Sequence, residues 1–225
     1  MKRIGYLFPK ICDKQNILKA IHNASRGKTK KRSVKWVLNN TDRCVNEIHN
    51  LLSNKSYIAN SYFEAKIVDG ISKKERTIYK PKFYPDQVIH WCLMQVIEPL
   101  LAKGLYKYSC ASIPKRGGLY AKSACEKWIR GDFKHTKYCL KIDIKKFYPT
   151  IDKGILKLKF RRIIKDQDAL WLIDEIIDSH HTGIPIGNYT SQWFANFYLQ
   201  KFDHYIKQSL KVKYYVRYMD DCCLF

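Results

Sequence analysis

An α+β fold is what this sequence predicts, and three observations predict it. Near the C-terminus, the run Tyr214 to Phe225 sets two adjacent carboxylates, Asp220 and Asp221, between aromatic and apolar stretches, which is how a hairpin presents acids at its tip. Upstream, Tyr138 to Tyr148 reads as a short apolar strand with Asp143 at its C-terminal end. Elsewhere apolar residues recur at helical spacing, as in Phe194, Tyr198, Phe202 and Ile206.

The elements follow in order. Residues 13 to 25 read as a helix with Ile17, Leu18, Ile21 and Ala24 on one face. Arg26 to Arg32 is a basic loop, open to reading as a solvated turn, a contact to RNA backbone or a nuclear-targeting run. Thr41 is a candidate cap for a helix using Val45, Ile48 and Leu52 and ending near Asn54. From Tyr57 to Ile78 apolar and polar residues alternate around Asp69-Gly70, a hairpin signal. The stretch from Asp86 is an apolar helix expected to stop at Pro99. Ser109 to Ala121 is basic and Gly-rich, with a helix expected from Ala121 to Ile129 and a loop over Lys134-His135-Thr136. A helix over 166–179 starts at Asp166 or Asp168 and points Leu170, Ile173, Ile176 and Ile177 inward. Gly183 to Gln192 is a tight loop, with Thr190 or Ser191 to cap the helix that follows.

With 225 residues, 46% of them hydrophobic, the chain can bury a substantial core. Its net charge of +22 is spread along the sequence, which points to a polyanion partner, above all nucleic acid. None of its eight cysteines forms a Cys-x-x-Cys pair or a zinc-like spacing, so they read as reduced core residues. His180-His181 reads as structural. There is no 18-residue apolar run and no signal-peptide core, so no membrane role is expected and the protein should be soluble and intracellular.

The acids carry the chemistry. Like charges as close as Asp220 and Asp221 repel unless a cation neutralises them, and carboxylate oxygens suit Mg²⁺. One carboxylate at a strand end beside a pair on a hairpin can hold two Mg²⁺ ions for in-line phosphoryl transfer. With Asp143, the 183–192 loop and Tyr218-Met219-Asp220-Asp221 in this order, the chain resembles reverse transcriptases in their motifs A, B and C. The resemblance covers roughly residues 35 to 225. Most families carry Gln-Gly and Ser-Pro in motif B. Here Ile186-Gly187 and Ser191-Gln192 stand instead, similar to diversity-generating retroelements, with group II intron-like enzymes the next type.

The resemblance implies a right-hand polymerase with fingers and palm, its antiparallel palm sheet backed by helices. Residues 1–130 would be the N-terminal region and fingers, with the start of the palm helices, and 131–225 the palm. The chain would stop after motif C, with the thumb absent. Asp143, the Ile144 carbonyl, Asp220 and Asp221 would hold two Mg²⁺, or Mn²⁺ as a substitute. Arg76, with Lys74 and Lys82, would hold the triphosphate, since a guanidinium can grip phosphate in a bidentate way. Tyr148 would be the gate against a ribose 2′-hydroxyl, and Gly187 and Gln192 would lie near the incoming nucleotide. Lys115 and Arg116 would grip template or primer phosphates, with a plain basic turn the equal alternative. The expected activity is RNA-templated DNA synthesis from dNTPs on a primed template, in the cytoplasm of a bacterium or from a phage, with an accessory retroelement protein as a further partner. Rival readings are an RNA-dependent RNA polymerase, an untemplated or defence-associated reverse transcriptase, and a non-catalytic RNA-binding protein. Tyr148 and Tyr218 speak against the first, and the presence of all three acids against the last.

Overall fold

In a computed structural model, residues 3–68 and 75–225 are described. The Asp69-Gly70 turn and Lys74 lie outside them. Helices α1 (Phe8–Cys12), α2 (Lys14–Ser25), α3 (Arg32–Asn39) and α4 (Thr41–Ser53) come first. A hairpin-like pair of strands follows, β1 (Phe63–Val68) and β2 (Glu75–Lys80), antiparallel with Phe63 opposite Lys80 and Val68 opposite Glu75. A π-helical turn (Phe83–Gln87) leads into α5 (Val88–Ala102), and α6 (Gly118–Gly131) and α7 (Phe133–Thr136) precede β3 (Leu140–Ile142). Then come α8 (Phe147–Thr150), α9 (Lys153–Ile163), α10 (Gln167–Asp178) and α11 (Tyr189–His204). A second π-helical turn (Tyr205–Ser209) ends in β4 (Tyr215–Tyr218) and β5 (Asp221–Leu224).

The chain divides into two units that it enters alternately: 1–100 with 152–191, and 101–151 with 192–225. In the first unit, α1, α2 and α4 pack on one another and α9 lies against α10. Ile17, Ile21 and Ala24 of α2 are buried as the helical spacing predicts, whereas Leu18 is only half-buried and Ala20 takes its place in the core; each isoleucine contributes about 2 kcal/mol of burial. Asp13 caps α2 by accepting from the backbone N–H of Gln15 and Asn16. Asp166 does more than cap α10: besides Ala169 N–H it accepts from Leu7 N–H at 2.7 Å and Phe8 N–H at 2.9 Å, tying the N-terminal segment to α10.

Four local expectations are corrected. Thr41 is no cap, because only Asn40 separates α3 from α4. Its hydroxyl donates instead to Leu38 O at 2.9 Å, among the free carbonyls ending α3. Pro99 does not stop α5, which runs on to Ala102. Proline costs about 3 kcal/mol inside a helix, and the burial of Leu101 recovers most of that, about 2 kcal/mol. Lys134 to Thr136 is a helical turn because the Asp132 side chain caps it at His135 N–H. Neither Thr190 nor Ser191 caps α11, which already begins at Tyr189. That start is set by the Tyr189 ring, stacked on Trp91 with centroids 4.2 Å apart, and by its hydroxyl donating to Glu98 at 2.9 Å.

Candidate active site

The second unit holds a three-stranded antiparallel sheet in the order β3-β5-β4. Ile142 pairs with Cys222 and Arg217 with Cys222, so these three share one face. That face packs on Ile206, with Tyr106 and Phe202 alongside. Val216 and Cys223, on the opposite face, pack with Cys110, Ala124 and Trp128. The sheet is thus covered on both sides, and its turn end carries the chemistry.

Tyr218 pairs with Asp221, leaving Met219 and Asp220 as a two-residue turn. Met219 has φ +58°, a left-handed conformation that tight hairpin turns demand and that a bulky residue adopts only at a cost. Asp143 comes one residue after the Ile142–Cys222 pair, so it reaches the same end of the sheet as Asp221. The register therefore sets all three predicted acids toward the same end of the sheet. Asp143 and Asp221 are exposed and Asp220 is half-buried. Lys141 lies 4.0 Å from Asp221, a solvated pair of little energetic weight that a stronger cation can displace.

Tyr148 belongs to this group too. It is half-buried on α8, its ring edge-on to buried Phe147 with centroids 5.5 Å apart. Burial pushes its phenol pKa up and the nearby Asp220 carboxylate adds to that. Ile144 is half-buried beside Asp143. The donors are hard oxygens of the type Mg²⁺ takes, at one end of one sheet. As the side chains stand, no three His, Cys, Asp or Glu side chains among the described residues form a group that could hold a metal ion.

What holds the turn is a residue the sequence reading passed over. Arg217 is fully buried on β4. Its Nε and Nη2 donate to the two Asp203 carboxylate oxygens, each at 2.7 Å. Its Nη1 donates to Met219 O at 2.7 Å and Asn196 Oδ1 at 3.1 Å, and Nη2 also donates to Ser109 Oγ at 2.8 Å. Those bonds use all five N–H groups a guanidinium has. Burial opposes the Arg217 charge, and Asp203 more than offsets it, so its pKa lies above the ordinary value. The Tyr215 hydroxyl also donates to Asp203, at 2.8 Å. A cation alternating with inward apolar residues in Tyr215-Val216-Arg217, and Asn196 and Asp203 seven apart on one helix face, were the available signals.

Other predicted residues are spread more widely. Arg76 is exposed on β2, and Lys82 donates to Asn60 Oδ1 at 3.0 Å. Gly187, in the same unit as β2, has φ +131°, and a Cβ there would lie 2.3 Å from Tyr79 O. The loop is pinned beside it by Tyr79 N–H donating to Ile186 O at 2.7 Å. The β2 backbone alone therefore explains why glycine stands at this position. Gln192 is exposed in the first turn of α11. Lys115 is exposed with φ +62°, whereas Arg116 donates to Tyr106 O at 2.8 Å and braces the loop from within. The His180 ring packs 4.3 Å from Tyr79 and its Nδ1 lies 2.7 Å from Thr182 O, which accounts for this residue structurally.

Comparison with known proteins gives the resemblance support from outside. No protein-family model matches the chain. It is 29% identical over 169 residues to the Retron Ec73 reverse transcriptase of Escherichia coli, matching 67% of this chain. The chain spans 50% of the length of that relative. In fold it is similar to a chain of a partial Cas6-RT-Cas1–Cas2 complex, with TM-score 0.51 and 16% identity over 97% of this chain and 38% of the other. A chain of the Cas6-RT-Cas1–Cas2 complex matches with the same score and identity over 97% of this chain and 23% of its own. Among the described residues no helix is long and apolar enough to cross a membrane. The mixed helical and antiparallel-sheet fold is one shared with these proteins.

Proposed function

We infer that this chain carries the catalytic centre of a reverse transcriptase and extends a primer with dNTPs on an RNA template. The observation that supports the reading is the register of the β3-β5-β4 sheet, which sets Asp143 and Asp221 at the same end, next to the turn that carries Asp220, with Tyr148 near Asp220. Asp143, the Ile144 carbonyl, Asp220 and Asp221 would hold two Mg²⁺ ions. When bound, such ions supply Lewis-acid stabilisation of the attacking 3′-hydroxyl and of the leaving pyrophosphate.

The remaining steps fall to the protein's own side chains. Arg217 fixes the turn on which Asp220 stands. Tyr148 closes the space where a ribose 2′-hydroxyl would go. Arg76, Lys74 and Lys82 would supply cations for the triphosphate and Gln192 would lie near the incoming nucleotide, with Gly187 letting the motif B loop pack closely on β2. Lys115, exposed, remains for template or primer phosphates, with Arg116 as its internal brace.

As to type, the Ile186-Gly187 and Ser191-Gln192 variant supports a diversity-generating element, whereas the curated relative is a retron enzyme, which supports a retron-like one. Accessory proteins fit either, since the structural neighbours are complexes with other protein components. A cytoplasmic setting belongs to the same proposal.

Replacing Asp143 or Asp220 by alanine should abolish dNTP incorporation by the whole protein on a primed RNA template, with its far-UV circular dichroism unchanged. Incorporation within tenfold of wild type in Mg²⁺ would overturn the assignment.

A further inference from the structure

Away from the β3-β5-β4 sheet residues, the turn between α2 and α3 carries a cluster of cations that no acid among the described residues neutralises. From Lys14 to Thr41 the sequence has no Asp or Glu. Arg26, Lys30, Lys31, Arg32 and Lys35 are all exposed, and among the described residues none of them makes an ion pair. Lys28, half-buried, donates to Gln87 Oε1 at 2.7 Å. Burial, and to a smaller extent the neighbouring Lys31 charge, push its pKa down.

The cations are not on a loose tail. Backbone bonds from Lys28 N–H to Ser25 O and from Lys31 N–H to Lys28 O, each 2.9 Å, fold the turn. Val34 and Val37 of α3 are fully buried and anchor the helix. Its opposite face then presents Arg32, Lys35 and Trp36 together, at the spacing of helical neighbours. Trp36 is 44% exposed. Arg43 lies over its ring at 6.0 Å and Tyr84 meets it edge-on with centroids 6.0 Å apart, contacts that fix the ring without covering it.

We propose that this surface binds a single-stranded polynucleotide, with the cations along the phosphates and a base stacked on Trp36. Cations alone would suit any polyanion. An oriented, exposed indole among them suits unpaired bases, whose faces are free, and stacking of that kind is sequence-tolerant. The choice of partner rests on the polymerase reading, but the surface uses none of the carboxylates and its binding can be tested without catalysis.

The test measures binding of fluorescent 20-nucleotide RNA, the same DNA, and the matching duplex to the whole protein by anisotropy. Trp36→Ala should weaken single-strand binding roughly five- to hundredfold and leave duplex binding unchanged, and Trp36→Phe should restore most of it. Lys30→Gln, Lys31→Gln and Arg32→Gln combined should make the slope of log affinity against log salt shallower by about two, the value for three phosphate contacts on a single strand. RNA and DNA arms show which strand is preferred. Unchanged binding in both variants, with native thermal melts, overturns the proposal. Equal losses for duplex or for anionic phospholipid vesicles overturn it as well, since the patch is then a general polyanion surface. Incorporation of dNTPs, read in the same preparations, reports on the carboxylates and judges the polymerase reading separately.

Discussion

Arg217 and Asp203 form a fully buried ion pair whose every donor is used, and that dictates what each substitution should do. Removing one partner strands the other charge without water. Arg217→Met should therefore lower stability to urea by about 3–5 kcal/mol, whereas Arg217→Met with Asp203→Leu should recover a large part of it. Recovery of stability without recovery of nucleotide incorporation would mark Arg217 as a positioning residue for the Met219–Asp220 turn. A double variant with wild-type activity would reduce it to packing. Tyr148 makes the second prediction at this scale. Its hydroxyl shares the neighbourhood of Asp220, so Tyr148→Ala should raise rNTP use relative to dNTP, because a clash with the 2′-hydroxyl is removed. An unchanged ratio would leave Tyr148 as a partner of Phe147 only. That Asp143 and the Asp220-Asp221 pair sit at strand ends was legible in the sequence, because apolar runs flank them. Arg217 was not, since a buried arginine is recognised by partners that come from Ser109, Asn196 and Asp203, distant in the chain.

Elements were legible wherever a side-chain pattern decides them. The spacing of α2 and α10 and the terminal hairpin with its acids at the tip stand in the structure close to where the residues place them. Boundaries were less legible, because neighbours in space settle them: Asn40 alone between two helices re-employs Thr41, and the Trp91 ring starts α11 at Tyr189. Asp166 shows how far a cap can reach. Burial pushes its pKa up, but N–H donors from Phe8, Ala169 and Leu7 outweigh this and hold it below the ordinary 3.8. A depressed carboxylate contributes stability that is fully present above the unfolded value and is lost as pH falls through the folded one. Stability should thus decline below about pH 4, and Asp166→Asn should flatten this decline while costing stability at pH 7. Urea midpoints of both proteins between pH 2.5 and 7 test it, and parallel curves would contradict it.

The whole molecule is governed by its charge. At +22 over 225 residues, with few cations neutralised by buried acids, the chain should bind nucleic acid mainly through phosphates. Composition carries this expectation without any motif. What composition could not convey is distribution, for the three carboxylates proposed as catalytic are local negative charges on a positive chain and repel phosphate unless cations intervene. Two consequences separate this from plain stickiness. Affinity for single-stranded RNA should fall linearly in log–log form with salt, by roughly 300-fold between 50 and 200 mM if about six phosphates are engaged. Adding millimolar Mg²⁺ at constant ionic strength should weaken that binding less in the wild type than in Asp143→Ala with Asp220→Ala, because only the wild type can recruit the ion between carboxylate and phosphate. Titrations of both proteins with and without Mg²⁺ decide this. A flat salt dependence would refute phosphate-led binding, and an identical Mg²⁺ response in the two proteins would separate the acids from the nucleic acid.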